Sequence, residues 1–212
     1  MNKNYYQIFC DQLNEVDKND KKPTLLLHAC CAPCSSHVLW VLAGHFDITV
    51  YFYNPNIDDK EEYEKRFAEL RRFISEASFS VGVKAVDPGY GPEDFFRMAE
   101  GREKLPEGGA RCYDCYSLRM RNSAEYARDH GFDYFTTTLS ISPYKRSDWI
   151  NEIGMSLERE MSEEGTSPVF LFSDFKKKNG YKHSIELSKE YSLYRQDYCG
   201  CRFSKEERQN RI

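Results

Sequence analysis

The chain has 212 residues, a net charge of −4 and eight cysteines. That length sets one generous domain, able to bury a core without disulfide staples. The charge excludes a uniformly basic nucleic-acid binder, and no stretch approaches the roughly 20 apolar residues of a membrane span.

In chain order, residues 1–22 form a polar N-terminal extension, with Tyr5, Tyr6, Ile8, Phe9 and Leu13 at helical spacing and Cys10 as a bystander. This extension has no apolar signal-like region, so a soluble cytoplasmic protein is expected. A strand follows at 24–29, then a cysteine loop and a helix over 35–43 stopped by Gly44. The strand at 48–53 ends in the loop Asn54-Pro55-Asn56, after which Asp58 or Asp59 caps a charged helix running to about residue 75. A third strand at 81–86 leads into a short helix at 93–99 and a Gly- and Pro-containing loop at 101–110. A helix at 112–130, a strand at 134–139, a helix at 147–160 and a short strand at 169–172 complete the pattern. Strands alternating with helices predict a Rossmann-like α/β fold, a parallel sheet flanked by helices, with residues 23–212 as a single catalytic domain.

Seven of the cysteines are clustered. Cys30, Cys31 and Cys34 form CCxxC after Leu25-Leu26-Leu27; Cys112 and Cys115 form CxxC; Cys199 and Cys201 form CxC. In a reducing compartment such grouping argues for metal ligation or redox work. The first pair falls at the carboxyl end of the first strand, where open α/β sheets bind ligands. Nucleotide-binding relatives of such folds need a glycine-rich loop there, and CCAPCSS stands in its place. An adjacent pair plus a remote CxxC supplies four thiolates, the ligand set of a [4Fe–4S] cluster or of a structural zinc. A CxC disulfide would be a small, strained, reducible ring that suits an electron relay. Alternatively, Cys199 and Cys201 complete a zinc site with Cys112 and Cys115.

From Leu25 to Ser204 the chain resembles the QueH-type epoxyqueuosine reductases. The resemblance rests on LLLHACCAPCSS, RCYDCYSLRM, GFDYFTTTLSISPYK, DFKKKNGYKHS and LYRQDYCGCRFS, five motifs in one order. It implies a fold similar to the adenine-nucleotide α-hydrolase (HUP-like) group, and reduction of epoxyqueuosine at the tRNA wobble position to queuosine. By the same resemblance, Cys30, Cys31, Cys112 and Cys115 hold a [4Fe–4S] cluster, and Cys199 and Cys201 form a redox-active disulfide. An additional mononuclear iron is implied, with Cys34 as the candidate thiolate and Asp174 as the favoured aspartate, Asp197 being the second choice. The implied partners are tRNA carrying epoxyqueuosine and an electron donor that the sequence does not identify. Neither DNA nor a membrane is expected.

His28, beside the cysteine pair, is either a proton donor to the departing oxygen or a histidine packed at a strand end. Tyr144, Lys145, Arg146, Lys176, Lys177, Lys178 and Arg202 are candidates for the tRNA backbone. Arg111 and Arg119 flank the CxxC, where either could touch phosphate and Arg119 could equally pair with a carboxylate. Further basic residues lie at Lys65, Arg66, Arg71 and Arg72, and at Lys205, Arg208 and Arg211. Tyr113, Tyr116 and Tyr198 are available to stack on a base or to fill the core. The competing readings are a zinc-stabilised, non-catalytic binding module and an ATP-dependent tRNA-modifying enzyme of the related nucleotide-binding fold.

Overall fold

The computed structural model describes residues 3–163, 165 and 167–210, so Arg211 of the C-terminal basic group lies outside the described residues. In chain order the elements are α1 (Tyr5–Val16), β1 (Thr24–His28), α2 (Ala32–Leu42), β2 (Asp47–Tyr51), α3 (Lys60–Glu76), β3 (Lys84–Val86), α4 (Glu93–Ala99), α5 (Ala110–Asp129), β4 (Tyr134–Thr137), α6 (Ser147–Glu163), β5 (Val169–Phe170), α7 (Gly180–Glu190) and α8 (Arg202–Gln209). The strands form one parallel sheet in the order β3-β2-β1-β4-β5. This is an α/β fold of Rossmann-like arrangement. No helix among the described residues is long and apolar enough to cross a membrane.

The apolar run in β1 follows from its central position, since a parallel strand is covered on both faces. Leu25 and Leu27 face one way, into a core with Val38, Leu39, Leu70 and Phe73 of α2 and α3. Leu26 faces the other way, among Met120 and Ala124 of α5 and Ile150, Ile153 and Leu157 of α6. The extension folds as α1, capped by Asn4, and buries Phe9 and Val16 in the first core. Gln12 then clips it to the sheet edge, donating to the Phe170 carbonyl at 3.0 Å and accepting from the Phe172 amide at 2.9 Å.

Several boundaries differ from the pattern read in the sequence. The helix expected at 35–43 begins at Ala32, because Cys31 is its N-cap and Pro33 is tolerated in a first turn whose amides need no helical partner. The strand expected at 81–86 is cut to Lys84–Val86 by a 3-10 turn at Ser78–Ser80, which leaves Val81 in water. The strand expected at 134–139 stops at Thr137 and turns into a 3-10 segment, Thr138–Ile141. Helices α7 and α8 add to the elements that the sequence pattern marks.

The order of the sheet reverses direction at β1, with β2 and β3 laid to one side and β4 and β5 to the other. Such a switch point opens a crevice beyond the carboxyl ends of the two strands that flank it. Those ends are His28 and Thr137, and the segments that follow them carry Cys30, Cys31 and Cys34 on one side and Tyr144 and Lys145 on the other.

Candidate functional site

The three cysteines after β1 converge by helix geometry. Cys31 caps α2, and Cys34 lies within the first turn of that helix. The sulfurs of Cys30, Cys31 and Cys34 all fall within 4.8 Å of one another. Cys30 Sγ lies 3.8 Å from Cys31 Sγ, and hydrogen bonding with Cys31 and then Cys34 drives the Cys30 pKa well below the usual thiol range. The same contact holds Cys31 up at about 11 and raises Cys34.

The CxxC lies in the first two turns of α5, capped by Gly109. Cys112 accepts the Gly108 amide at 3.2 Å, and Cys115 is buried. Burial raises both thiols, Cys115 to about 11. Arg119, one turn further along, is buried beside Cys115; burial lowers its pKa, but Cys115 and Cys30 raise it by more. Arg119 pairs with the Asn54 carboxamide at 2.5 Å and not with a carboxylate. Arg111 is also buried, donating to the carbonyls of Arg102, Glu103 and Leu105, so it closes the preceding loop and is not available to phosphate.

The CxC closes the site from the C-terminal side. Gly200 has φ +121°, and a Cβ there would lie 2.7 Å from Ile57 Cγ1. The glycine therefore lets the chain turn against the 54–57 loop. The Cys199 carbonyl accepts from Asn56 Nδ2 at 3.3 Å and Arg66 at 3.2 Å, while Cys201 caps α8 by accepting the Ser204 amide at 3.4 Å. The Cys199 and Cys201 sulfurs approach to 3.5 Å as free thiols. Cys201 donates to Cys199 and holds it at about 6, and the same bond raises Cys201.

These segments border two cavities. The larger, about 120 Å³, is lined by Cys30, Cys34 and Cys199 with Tyr144, Lys145, Asp197 and Tyr198. The smaller, about 30 Å³, lies among Cys112, Cys115, Cys199 and Cys201 with Tyr116, Arg119 and Lys145. Cys199 and Lys145 border both. Burial lowers the Lys145 pKa, but Cys30, Tyr116, Cys34 and Cys199 raise it by more, so the ammonium stays charged.

Two expected site residues lie elsewhere. His28 is fully buried, with Nδ1 2.7 Å from Thr137 Oγ1 and Nε2 3.0 Å from the Tyr53 carbonyl. A carbonyl only accepts, so Nε2 carries the ring's proton and Nδ1 accepts from the threonine hydroxyl. Burial, then Arg119, lowers the His28 pKa to about 3. The ring ties the end of β1 to Thr137 and to the Tyr53 carbonyl, the packed strand-end placement that the sequence also allows. Asp174 is paired with Lys176 at 2.9 Å and lines a different cavity with Tyr5 of α1 and Asp148 of α6; Asp197 is the aspartate that shares a cavity with Cys34.

The basic candidates divide as well. Arg146 pairs with Asp148 and lies over Trp149, Lys176 is committed to Asp174, and Arg202 pairs with Asp58 at 2.7 Å. Lys177 and Lys178 are exposed, and Tyr144 and Lys145 line the larger cavity. Tyr116 is buried in the core and Tyr113 packs edge-on against Trp149, while Tyr198 lines the cavity.

A family model described as epoxyqueuosine reductase QueH matches residues 25–207. The chain belongs to the QueH family. It is similar to an epoxyqueuosine reductase QueH of Streptococcus pyogenes serotype M1, with 40% identity over 200 residues, covering 93% of this chain and 76% of the relative. The QueH protein of Staphylococcus epidermidis is 38% identical over 205 residues, covering 95% and 84%. The QueH protein of Thermotoga maritima is 35% identical over 191 residues, covering 89% and 93%.

The QueH residues suit a soft metal. The donors are sulfur, Cys30, Cys31 and Cys115 are buried, and the cations Arg119 and Lys145 lie beside them to offset thiolate charge. Arg119 Nε is a buried donor with no hydrogen-bond partner among the described residues. The tightest grouping is Cys30, Cys31 and Cys34, and it does not extend to Cys112 and Cys115. Sequence reasoning missed Asn54, Arg66 and Gln196, which line or brace this QueH site. For Asn54 a signal existed: it stands just past the carboxyl end of β2, beside the switch point.

Proposed function

We propose that this protein is an epoxyqueuosine reductase acting on tRNA, removing the epoxide oxygen at the wobble nucleotide in the last step of queuosine formation. The balanced reaction is epoxide plus two electrons and two protons to alkene plus water. The observation that carries the reading is the convergence of six cysteines from three distant segments on two adjoining cavities at the switch point of the sheet, with Cys31 grouped against Cys30 and Cys34. The QueH membership of the chain supports it independently.

Cys30, Cys31, Cys112 and Cys115 would hold a [4Fe–4S] cluster, and Cys34 with Asp197 would hold an additional iron. When bound, these groups supply one-electron transfer and Lewis acidity toward an oxygen ligand. The remaining work falls to the chain itself. Cys199 and Cys201 are a dithiol that stores two electrons and becomes a disulfide on giving them up. Their 3.5 Å separation supports this role, since bond formation needs only a small approach. Lys145 borders both cavities and keeps its proton, so it is the side chain suited to hydrogen-bond the departing oxygen. The buried wall of Tyr116, Arg119 and Cys115 keeps bulk water from the inner cavity. The base must leave its stack to enter. Reducing equivalents come from a donor in the cytoplasm, the compartment in which free thiols persist.

The test is conversion of epoxyqueuosine-containing tRNA by anaerobically purified protein under strong reductant, with iron and sulfide measured on the same sample. Formation of queuosine supports the reading. A colourless protein that holds zinc and converts nothing removes it.

A further inference from the structure

Surface arginines in this chain are mostly neutralised. Arg72 pairs with Glu69 and Glu76, Arg102 with Asp114, and Arg202 with Asp58. Two arginines lining the larger cavity depart from that pattern. Arg195 is exposed, meets the neutral Ser188 hydroxyl at 3.1 Å, and pairs with no carboxylate among the described residues. The Arg208 side chain, in the last turn of α8, has no hydrogen-bond or ion-pair partner among the described residues. A guanidinium left without a carboxylate is free to take phosphate through its planar fork.

The rim of the same cavity carries Tyr144, which is 74% exposed and stacks on no aromatic ring among the described residues. An isolated exposed tyrosine is ordinary, but one beside two unneutralised guanidiniums is the combination that single-stranded nucleic-acid grooves use. The lining also includes Gln196, whose Oε1 is buried without a hydrogen-bond partner. A buried acceptor left unpaired is costly, and an incoming N–H relieves it.

We propose that this cavity mouth is a seat for single-stranded RNA. Arg195 and Arg208 take backbone phosphates, Tyr144 stacks on the base next to the one that enters, and Gln196 accepts an N–H from the entering base. This rests on the tRNA reading above and deepens it by naming the side chains that hold the nucleotide.

The test is fluorescence anisotropy with a labelled anticodon stem–loop carrying guanosine at the wobble position, titrated with the full-length, anaerobically purified protein at several salt concentrations. Arg195→Ala and Arg208→Ala each weaken binding and lower the steepness of log K against log salt by about 0.7, the expectation for one lost phosphate contact on a single strand. Arg208→Lys retains the slope. Tyr144→Ala weakens binding by about five-fold or more at unchanged slope, and Tyr144→Phe binds as the wild type does. Gln196→Leu weakens binding without altering the slope. Arg71→Ala, beside a separate cavity near β3, leaves affinity as it was. Wild-type affinity and slope in both arginine variants, or an absence of salt-dependent binding by the wild type, overturns the seat. Turnover is scored separately. Binding through these residues without epoxide reduction removes the reductase reading and keeps the seat, whereas reduction with unaltered binding in the variants does the reverse.

Discussion

Arg119 donates from Nη2 to Oδ1 of Asn54 across 2.5 Å, and Asn54 in turn donates from Nδ2 to the carbonyl of Ala29 at 2.8 Å. One carboxamide thus ties the CxxC helix to the residue that precedes Cys30, from a loop that reads in the sequence only as Asn-Pro-Asn. Asn54→Ala should destabilise the protein by about 2 kcal/mol, the value of a hydrogen bond to a charged group. It should also lower the iron retained through anaerobic purification. Urea unfolding and iron analysis check the two effects; unchanged iron would mean that this tie is structural only.

Cys199→Ser and Cys201→Ser should each abolish turnover while leaving the visible absorption of the purified protein intact. A dithiol needs both sulfurs, whereas the proposed cluster ligands are Cys30, Cys31, Cys112 and Cys115. Loss of colour in either variant would reassign that cysteine as a metal ligand.

Stability should depend on His37. This residue is buried between α2 and α7, with Nδ1 2.9 Å from His183 Nδ1; burial first, then His183, lowers its pKa to about 4. The unfolded chain takes up the proton as pH falls through its ordinary value near 6.5, while the folded chain resists until about 4. Unfolding therefore binds a proton in that window, and stability is lost as pH falls, by at most about 1.4 kcal/mol per pH unit. Urea midpoints at about pH 7 and about pH 4.5 should differ less in His37→Asn than in the wild type. Equal differences in the two proteins would show that other groups set the acid sensitivity.

Gly180→Ala should be among the costlier single-methyl additions. A Cβ there would lie 1.9 Å from the Phe175 carbonyl and 2.6 Å from His37 Nε2, so α7 must move off α2. Overpacking of this kind costs about 3 kcal/mol, which a shift in thermal midpoint reports.

The sheet was legible in the sequence because its strands carry a simple signal. Leu25-Leu26-Leu27 is apolar on both faces, and loops punctuate each crossover. The last third was harder. In α8 the one buried residue is Ser204, so no apolar stripe marks the helix. In α7 the helix starts at Gly180, after Lys178 and Asn179 at positive φ, where glycine ordinarily suggests a stop. The cysteine motifs pointed to one edge of the sheet, but not to the tight group that Cys34 makes with Cys30 and Cys31, which depends on α2 starting three residues earlier than its apolar pattern suggests. For Asp174, motif proximity carries no direction: the loop after β5 turns it toward α1 and α6, and Asp197 is the aspartate that lines the cavity with Cys34.

The position of Cys199 between the two cavities has a chemical cost as well as a use. Cys199 is partly exposed, whereas Cys201 is buried. An oxidant or alkylating agent diffusing through the mouth meets Cys199 first, and the thiolate character imposed by Cys201 makes it the readier of the two to react. The pair is thus disarmed from the outside inward, and a bound nucleotide would stand in the way of that attack.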